Sequence, residues 1–239
     1  MFDVITKDDL WGWIADGIEI PIEKRYRLKG IQDTFLYSDT MGFKDKKILE
    51  IGGGDSRLLR KLNEHNECWN ADKFEGYGIG PKEEIDIKKV KNVNVFLGEY
   101  SDQLPAEYFD YIFSISVVEH VPNDMLEDFF LDCSRVMKPG GYMTHAIDLY
   151  VGDDSPENEF RFKVNENRIK RYLECSVAPE TKFEFVVAPA ITESFYFRTK
   201  FATNSDWTMW EWGRFAKKLD ETRRNTQSIS LKCRWRKRD

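Results

Sequence analysis

The 239-residue sequence predicts an α/β domain with a doubly wound, mostly parallel sheet, and three observations carry that prediction. Between residues 46 and 149, short apolar runs alternate with amphipathic stretches at the spacing of parallel strands joined by helices. The first of these runs ends in a glycine turn, Gly52-Gly53-Gly54. Near the end of the chain, Ile229, Leu231, Cys233 and Trp235 alternate with Ser230, Lys232, Arg234 and Arg236. That is a period-two strand with one apolar and one basic face, and it suits an antiparallel strand closing the sheet.

The elements follow in order. Thr6 with Asp9 three places on resembles a capping box, opening a short helix through Trp11, Trp13 and Ile14 that Gly17 stops. Pro21 suits a first helical position, and Ile22, Tyr26, Ile31 and Phe35 give the next helix an apolar face. Residues 1–41 therefore read as an N-terminal helical cap before a main domain over 42–239. The run KKILEI leads into the glycine turn, after which Asp55 or Ser56 caps a helix with Leu58, Leu59 and Leu62 inward. Further strands are expected at 67–72, 93–99, 109–116 and 141–149. Between the last two, Asn123 caps a helix whose Leu126, Phe129, Phe130, Cys133 and Met137 share one face, and Pro139-Gly140-Gly141 terminates it. Residues 151–159 are polar and read as a loop, followed by a helix capped by Asn165 and running through Ile169 and Leu173. The span 151–215 is the expected substrate-side insertion.

Composition narrows the function classes. The net charge of −6 conceals a split: residues 214–239 carry 10 Lys/Arg against 3 Asp/Glu, while the rest of the chain sums to −13. An acidic body does not favour broad attachment to nucleic acid or anionic lipid. No apolar run approaches a membrane span, and the opening MFDVITKDDLW lacks the apolar core of a signal peptide. Cys68, Cys133, Cys175 and Cys233 lie far apart with no CxxC, so a disulfide framework is not expected and a reducing cytoplasm is the default.

Glycines at the end of a first α/β strand allow a tight turn and close approach of backbone to a ligand. Asp72 lies 20 residues beyond Gly52, at the end of the second strand, where a carboxylate can accept hydrogen bonds from ribose hydroxyls. Together they indicate an adenosine cofactor. A dinucleotide fingerprint would want a third glycine where Arg57 stands, and no GK[ST] follows to make a phosphate loop. Carboxylates on both sides of the turn suit a ligand carrying an ammonium and a sulfonium better than a polyphosphate.

The successive runs ILEIGGGDSRLL, NADKF, LGEYSDQLP, FDYIFSISVVEHVPND and SRVMKPGGYM resemble the motifs of class I S-adenosylmethionine-dependent methyltransferases over roughly residues 46–149. The resemblance implies a Rossmann-like seven-stranded sheet with an antiparallel C-terminal strand, and S-adenosylmethionine as cofactor. It further implies that Glu50, Gly52, Gly53 and Gly54 line the methionine part, Asp72 the ribose with Lys73 and Phe74 beside it, Glu99 and Tyr100 the adenine, and Ser116 the methyl donor. Glu99 stands where the family more often has Asp.

Methyl transfer asks the protein to align two reactants and to remove a proton where needed. His120, after the fourth strand, is the first candidate base; His145 and Asp148, on the fifth, are the others. Some relatives bind a divalent metal through acids around the EHV run, but Ser116 and Val117 add no carboxylate, so no metal is assigned. Arg161, Arg168, Arg171 and Arg198 could clamp a phosphate or carboxylate beside the aromatic belt Phe195, Tyr196, Phe197, Trp207, Trp210 and Trp212; a solvated basic face with core packing is the competing reading.

The expected activity is methylation of a small polar metabolite, on oxygen, with a sugar or a phosphorylated or nucleotide-linked precursor as acceptor, by a cytoplasmic monomer or homodimer. Three alternatives stand beside it: an RNA methyltransferase using the basic tail, a nicotinamide dehydrogenase, and a nucleotide-binding partner subunit without turnover. Base methylation is disfavoured by the lack of both an Asn/Asp-Pro-Pro-aromatic run after the fourth strand and a Pro-Cys nucleophile.

Overall fold

The computed structural model describes residues 1–18, 28–76, 80–152, 156–191 and 226–239. Among these residues eight strands form one sheet: β1 (Phe2–Val4), β2 (Lys47–Ile51), β3 (Glu67–Ala71), β4 (Val90–Val93), β5 (Phe109–Ile115), β6 (Met137–Gly152), β7 (Phe183–Phe185) and β8 (Thr226–Lys237). Their order is β1-β8-β6-β5-β2-β3-β4, with β7 also on β8. The run from β4 to β6 is parallel, and β8 lies antiparallel to β6. This is the mixed, Rossmann-like sheet expected of the sequence, with one difference. The outer neighbour of β8 is shared end to end by two short strands, β7 against Trp235–Lys237 and β1 against Leu231–Cys233. No helix of the described residues is long and apolar enough to cross a membrane.

Among the described residues, five α-helices cover the sheet: α1 (Lys7–Ala15), α2 (Leu28–Thr40), α3 (Leu59–Leu62), α4 (Leu126–Val136) and α5 (Pro156–Ser176). Strand alternation sorts the core into two layers. Leu49, Ile51, Ile112 and Met143 pack with Phe129, Phe130, Cys133, Ile169 and Tyr172 of α4 and α5. Ile48, Tyr111, Phe113 and Ala146 face the other way, onto Ile31, Phe35, Leu58, Leu59 and Leu62. Each of the Leu, Ile, Phe and Met side chains contributes roughly 1.5–3 kcal/mol by leaving water. All four cysteines are free and buried in these two layers.

Several expected boundaries move. The strand expected at 93–99 lies earlier, at Val90–Val93; pairing with β3 stops at Val93, and the alternation of Val95 and Leu97 comes from a loop buried beneath α4. The buried carboxylate of Asp132 on α4 takes the N–H groups of Gly98 (2.7 Å) and Tyr100 (3.1 Å), so this backbone needs no ladder. Asn123 does not cap α4, which starts from Met125 without a side-chain cap; its Oδ1 accepts instead from Arg168. Helix α5 begins at Pro156, and Asn165 lies buried within it rather than at its start. Helix α3 is a single turn, its first N–H donating to Ser56 Oγ at 2.9 Å. The expected helix start at Pro21, with Ile22 and Tyr26, lies outside the described residues.

Of the basic face of β8, Arg236 is exposed, but Lys232 and Arg234 are covered. Helices α1 and α2 lie over these two and supply the counter-charges. Lys232 Nζ sits 2.7 Å from both oxygens of Asp9 and 3.8 Å from Asp3, and Arg234 pairs with Asp39. Asp9 also completes the capping box with Thr6, whose hydroxyl accepts the Asp9 N–H. One carboxylate thus holds a helix start and a half-buried ammonium. We expect Asp9→Ala to destabilise the fold by about 1–3 kcal/mol, the sum of a lost cap and a stranded charge, read as a lower urea midpoint. Asp9→Asn, which can keep the cap, should lose less; equal midpoints for all three proteins would show that neither contact matters.

Candidate functional site

The carboxyl ends of β2, β3 and β5 meet at one edge of the sheet, as expected where a parallel sheet places its ligands. Glu50, near the end of β2, is buried and accepts a hydrogen bond from Ser56 Oγ. Burial pushes its carboxyl up to about 8, against the Ser56 hydrogen bond that favours the charged form. Gly52 turns the chain at φ +62°, and a Cβ there would come within 2.6 Å of Val117 Cγ2. The glycine is required twice over, by conformation and by the close approach of the β5 turn.

The next two N–H groups are tied to β3. Gly53 donates to Asn70 Oδ1 at 3.1 Å and Gly54 to Asp72 Oδ2 at 2.9 Å. Asp72 accepts the Phe74 N–H on its other oxygen at 2.7 Å, so this carboxylate joins the glycine turn to the loop after β3. Phe74 is itself buried. Beyond it, Lys73 pairs with Glu99 and lies over the Phe96 ring at 4.5 Å. The Lys73 hydrogen bond holds the Glu99 carboxyl below its usual range. Tyr100 turns toward α4, its hydroxyl donating to Asp128 at 2.9 Å, and burial with that acidic neighbour pushes the phenol up to about 12.

The end of β5 gathers a second group. Ser116, at φ +54°, donates to Asp148 Oδ1 at 2.6 Å, and Gln32 Nε2 reaches the same oxygen at 2.7 Å. Glu119 lies in the short turn Val118–His120; its carboxylate oxygens are shielded from solvent and have no hydrogen-bond partner. Burial and the neighbouring Asp148 both push its carboxyl upward. His120, beside it, is exposed.

Two expectations are corrected here. His145 is wholly buried among Phe129, Phe130 and Trp235, with Nδ1 against Ser114 Oγ at 2.8 Å. Burial pulls it down to about 3, so it is a neutral core imidazole out of reach of any substrate. Arg168 is not poised to clamp an anion: its guanidinium donates to Val118 O, Glu119 O, Asn123 Oδ1 and the Tyr172 hydroxyl. It fixes the turn that carries Glu119 and His120. Arg171 is spent on Glu174 and Asn123 O, each at 3.5 Å. The side chain of Arg161, and Arg198, Phe195, Tyr196, Phe197, Trp207, Trp210 and Trp212, lie outside the described residues.

The sequence reading missed Gln32, Asn70, Asp132 and Glu119. Asn70 and Asp132 are wholly buried in the structure, and their partners lie far away in the chain. A cleft of about 670 Å³ lined by Lys44–Lys47 and Glu64–Glu67 opens at the opposite end of β2 and β3, away from all of these groups.

Comparison with known proteins agrees with this geometry. The profile of a methyltransferase domain matches residues 24–196. A search of curated proteins finds no match. Among solved structures, phosphoethanolamine N-methyltransferase 2 of Haemonchus contortus, in complex with phosphomonomethylethanolamine and S-adenosylhomocysteine, is 15% identical with a TM-score of 0.52, over 86% of this chain and 52% of that one. This chain thus spans about half the length of that protein. A Galdieria sulphuraria protein assigned as a sarcosine dimethylglycine methyltransferase is 15% identical with a TM-score of 0.51, over 97% of this chain and 98% of that one. At such identities the likeness is one of fold.

The buried His145 sets a pH signature. Its folded-state value lies below that of an exposed histidine, so the unfolded chain takes up a proton that the native state refuses. Stability should be unaffected by this residue above about pH 6.5 and fall by about 1.4 kcal/mol per pH unit from there toward about 3. His145→Gln should flatten that part of the stability profile, measured by urea unfolding across pH. An unchanged slope would mean the ring is protonated in the folded state.

Proposed function

Because this chain belongs to the methyltransferase-domain family, we propose that it transfers the methyl group of S-adenosylmethionine to a small polar acceptor. The observation that carries the reading is Asp72: a carboxylate at the end of β3, hydrogen-bonded to the Gly54 and Phe74 N–H groups and still open to further donors. A carboxylate can accept about four hydrogen bonds, so Asp72 keeps capacity for a ribose diol. Buried Glu50 beside the glycine turn suits a ligand ammonium, which would favour its ionised form. Gly52, Gly53 and Gly54 would pass against the methionine part, with Lys73, Phe74, Glu99 and Tyr100 toward the adenine and Ser116 toward the methyl donor. Bound there, the cofactor would supply an electrophilic methyl group on a sulfonium.

The alternatives lose ground on particular contacts. Arg57, where a dinucleotide site would want glycine, is held by buried Asp33 with its Nε 2.6 Å from Oδ2. In the basic tail, Lys232 and Arg234 are neutralised by α1 and α2, and Lys237 donates to Ser134 O and Met137 O. Arg236 and Arg238 are the exposed basic residues left in the described tail. Of the three candidate bases, exposed His120 and partly exposed Asp148 remain.

Calorimetry tests the reading directly. S-Adenosylhomocysteine should bind in the micromolar range typical of such ligands, and NADH should not bind comparably; the reverse order would overturn the assignment. Asp72→Asn, which keeps one acceptor for the loop N–H groups, should weaken cofactor binding by about 1–3 kcal/mol. Gly52→Ala should weaken it too, because Val117 must give way before the turn can close.

A further inference from the structure

The turn after β5 carries a carboxylate that the fold leaves without donors. Both Glu119 oxygens are buried without a hydrogen-bond partner, and only the backbone N–H groups of Glu119 and Asp148 act nearby to favour the ionised form. Buried carboxylates are normally paired, and one that is not calls for a reason. The groups facing it do not pair it. Asp148 from β6 adds a second negative charge, and its Oδ1 is taken by Ser116 and Gln32. Lys29 of α2 acts on it only at long range and is exposed. From α5, Tyr172 lies near, and Arg168 spends its N–H groups on carbonyls, Asn123 and Tyr172 itself. His120 follows in the chain and is exposed.

This cluster adjoins the cofactor edge. Val117, between Ser116 and Glu119, packs against Gly52. Ser116, Val117, Glu119 and Asp148 each keep some exposed surface, so the cluster lies at the surface of the fold although the Glu119 oxygens themselves are shielded.

Resting on the reading that this edge binds S-adenosylmethionine, we propose that Glu119 and Asp148 form an ammonium subsite and that the methyl acceptor is an amine. A primary ammonium brings three N–H donors and the positive charge that two neighbouring carboxylates lack. A hydroxyl acceptor, expected from the sequence, brings one donor and no charge. A divalent cation would want further protein ligands, and no group of three His, Cys, Asp or Glu side chains among the described residues could supply them. Glu119 also has the chemistry to activate the acceptor. An N–H bond of the ammonium breaks, the proton passes to a Glu119 oxygen, and the pair left on nitrogen becomes the nucleophile. As the new carbon–nitrogen bond forms, the carbon–sulfur bond of the donor breaks with its electrons left on sulfur, and the proton later returns to solvent.

The test watches Glu119 itself. Protein labelled with 13C at the glutamate carboxyl carbons is titrated with ethanolamine, ethylene glycol or magnesium chloride, each with S-adenosylhomocysteine present. Ethanolamine should shift one carboxyl resonance toward its ionised position near neutral pH, and Glu119→Gln should remove that resonance. Ethylene glycol should leave it in place. A shift with magnesium alone, or with none of the three, overturns the proposal. Calorimetry with S-adenosylhomocysteine on the same sample separates the two readings: binding without an amine response defeats the ammonium subsite alone, and no binding defeats the cofactor assignment beneath it. In an assay of S-adenosylhomocysteine release, amines should turn over and sugars and phosphorylated alcohols should not. Glu119→Gln should then lose roughly 10²–10⁴ in rate while still binding S-adenosylhomocysteine; turnover confined to hydroxyl acceptors overturns the proposal.

Discussion

Where a parallel strand stops, its backbone N–H groups lose their ladder partners and must find acceptors elsewhere. In this protein side-chain oxygens of neighbouring elements meet that demand. Asn70 and Asp72 hold the turn after β2, Asp72 also holds the loop after β3, and Asp132 of α4 holds the loop after β4. The held loops include non-glycine residues in left-handed backbone, Phe74 at φ +54° and Tyr100 at φ +53°. Such a residue costs about 1–2 kcal/mol, while a hydrogen bond to a charged acceptor returns about 1.5–3 kcal/mol. The carboxylates win, and the edge of the sheet is set before any ligand arrives.

The same device explains why the edge is acidic and why its acids differ. Asp72 and Asp132 have donors from the backbone, and Asp148 has them from Ser116 and Gln32. Glu50 has only the Ser56 hydroxyl and Glu119 has none, and burial drives both carboxyls upward. Acids held by two or more donors build the loops or fix the end of β5. Those short of donors are left with capacity for a cation, and they stand on either side of the contact between Gly52 and Val117.

How legible this was depended on whether the determining contact was local. The capping box at Thr6 and Asp9, the glycine turn, and the alternation along β8 are each decided by neighbours in the sequence, and each stands in the structure. Strand β4 was misplaced because Val95 and Leu97 alternate as a strand would, while the acceptor that removes the need for a ladder sits 34 residues from Gly98 on α4. Arg168 read as an anion clamp because its carbonyl partners, Val118 and Glu119, are about 50 residues away in the chain. His145 read as a base from its place on the fifth strand, but the rings that bury it come from α4 and β8. Residue type and order reached the candidate edge; only packing could say which side chains at that edge were already spent.

The charge split between body and tail turns on the same distinction. A basic tail on an acidic body invites a reading as an arm for nucleic acid. Yet Lys232 and Arg234 project from one face of a strand whose other face is core, and that face lies under α1 and α2. A half-buried ammonium or guanidinium facing a helix must have a carboxylate there or pay the desolvation cost alone. Asp9 and Asp39 answer that need, from a segment about 200 residues earlier in the chain. Lys232 and Arg234 of the tail and the N-terminal helices therefore meet as two halves of one neutralised contact, whereas the buried Glu119 carboxylate, at the carboxyl edge of the sheet, has no such partner.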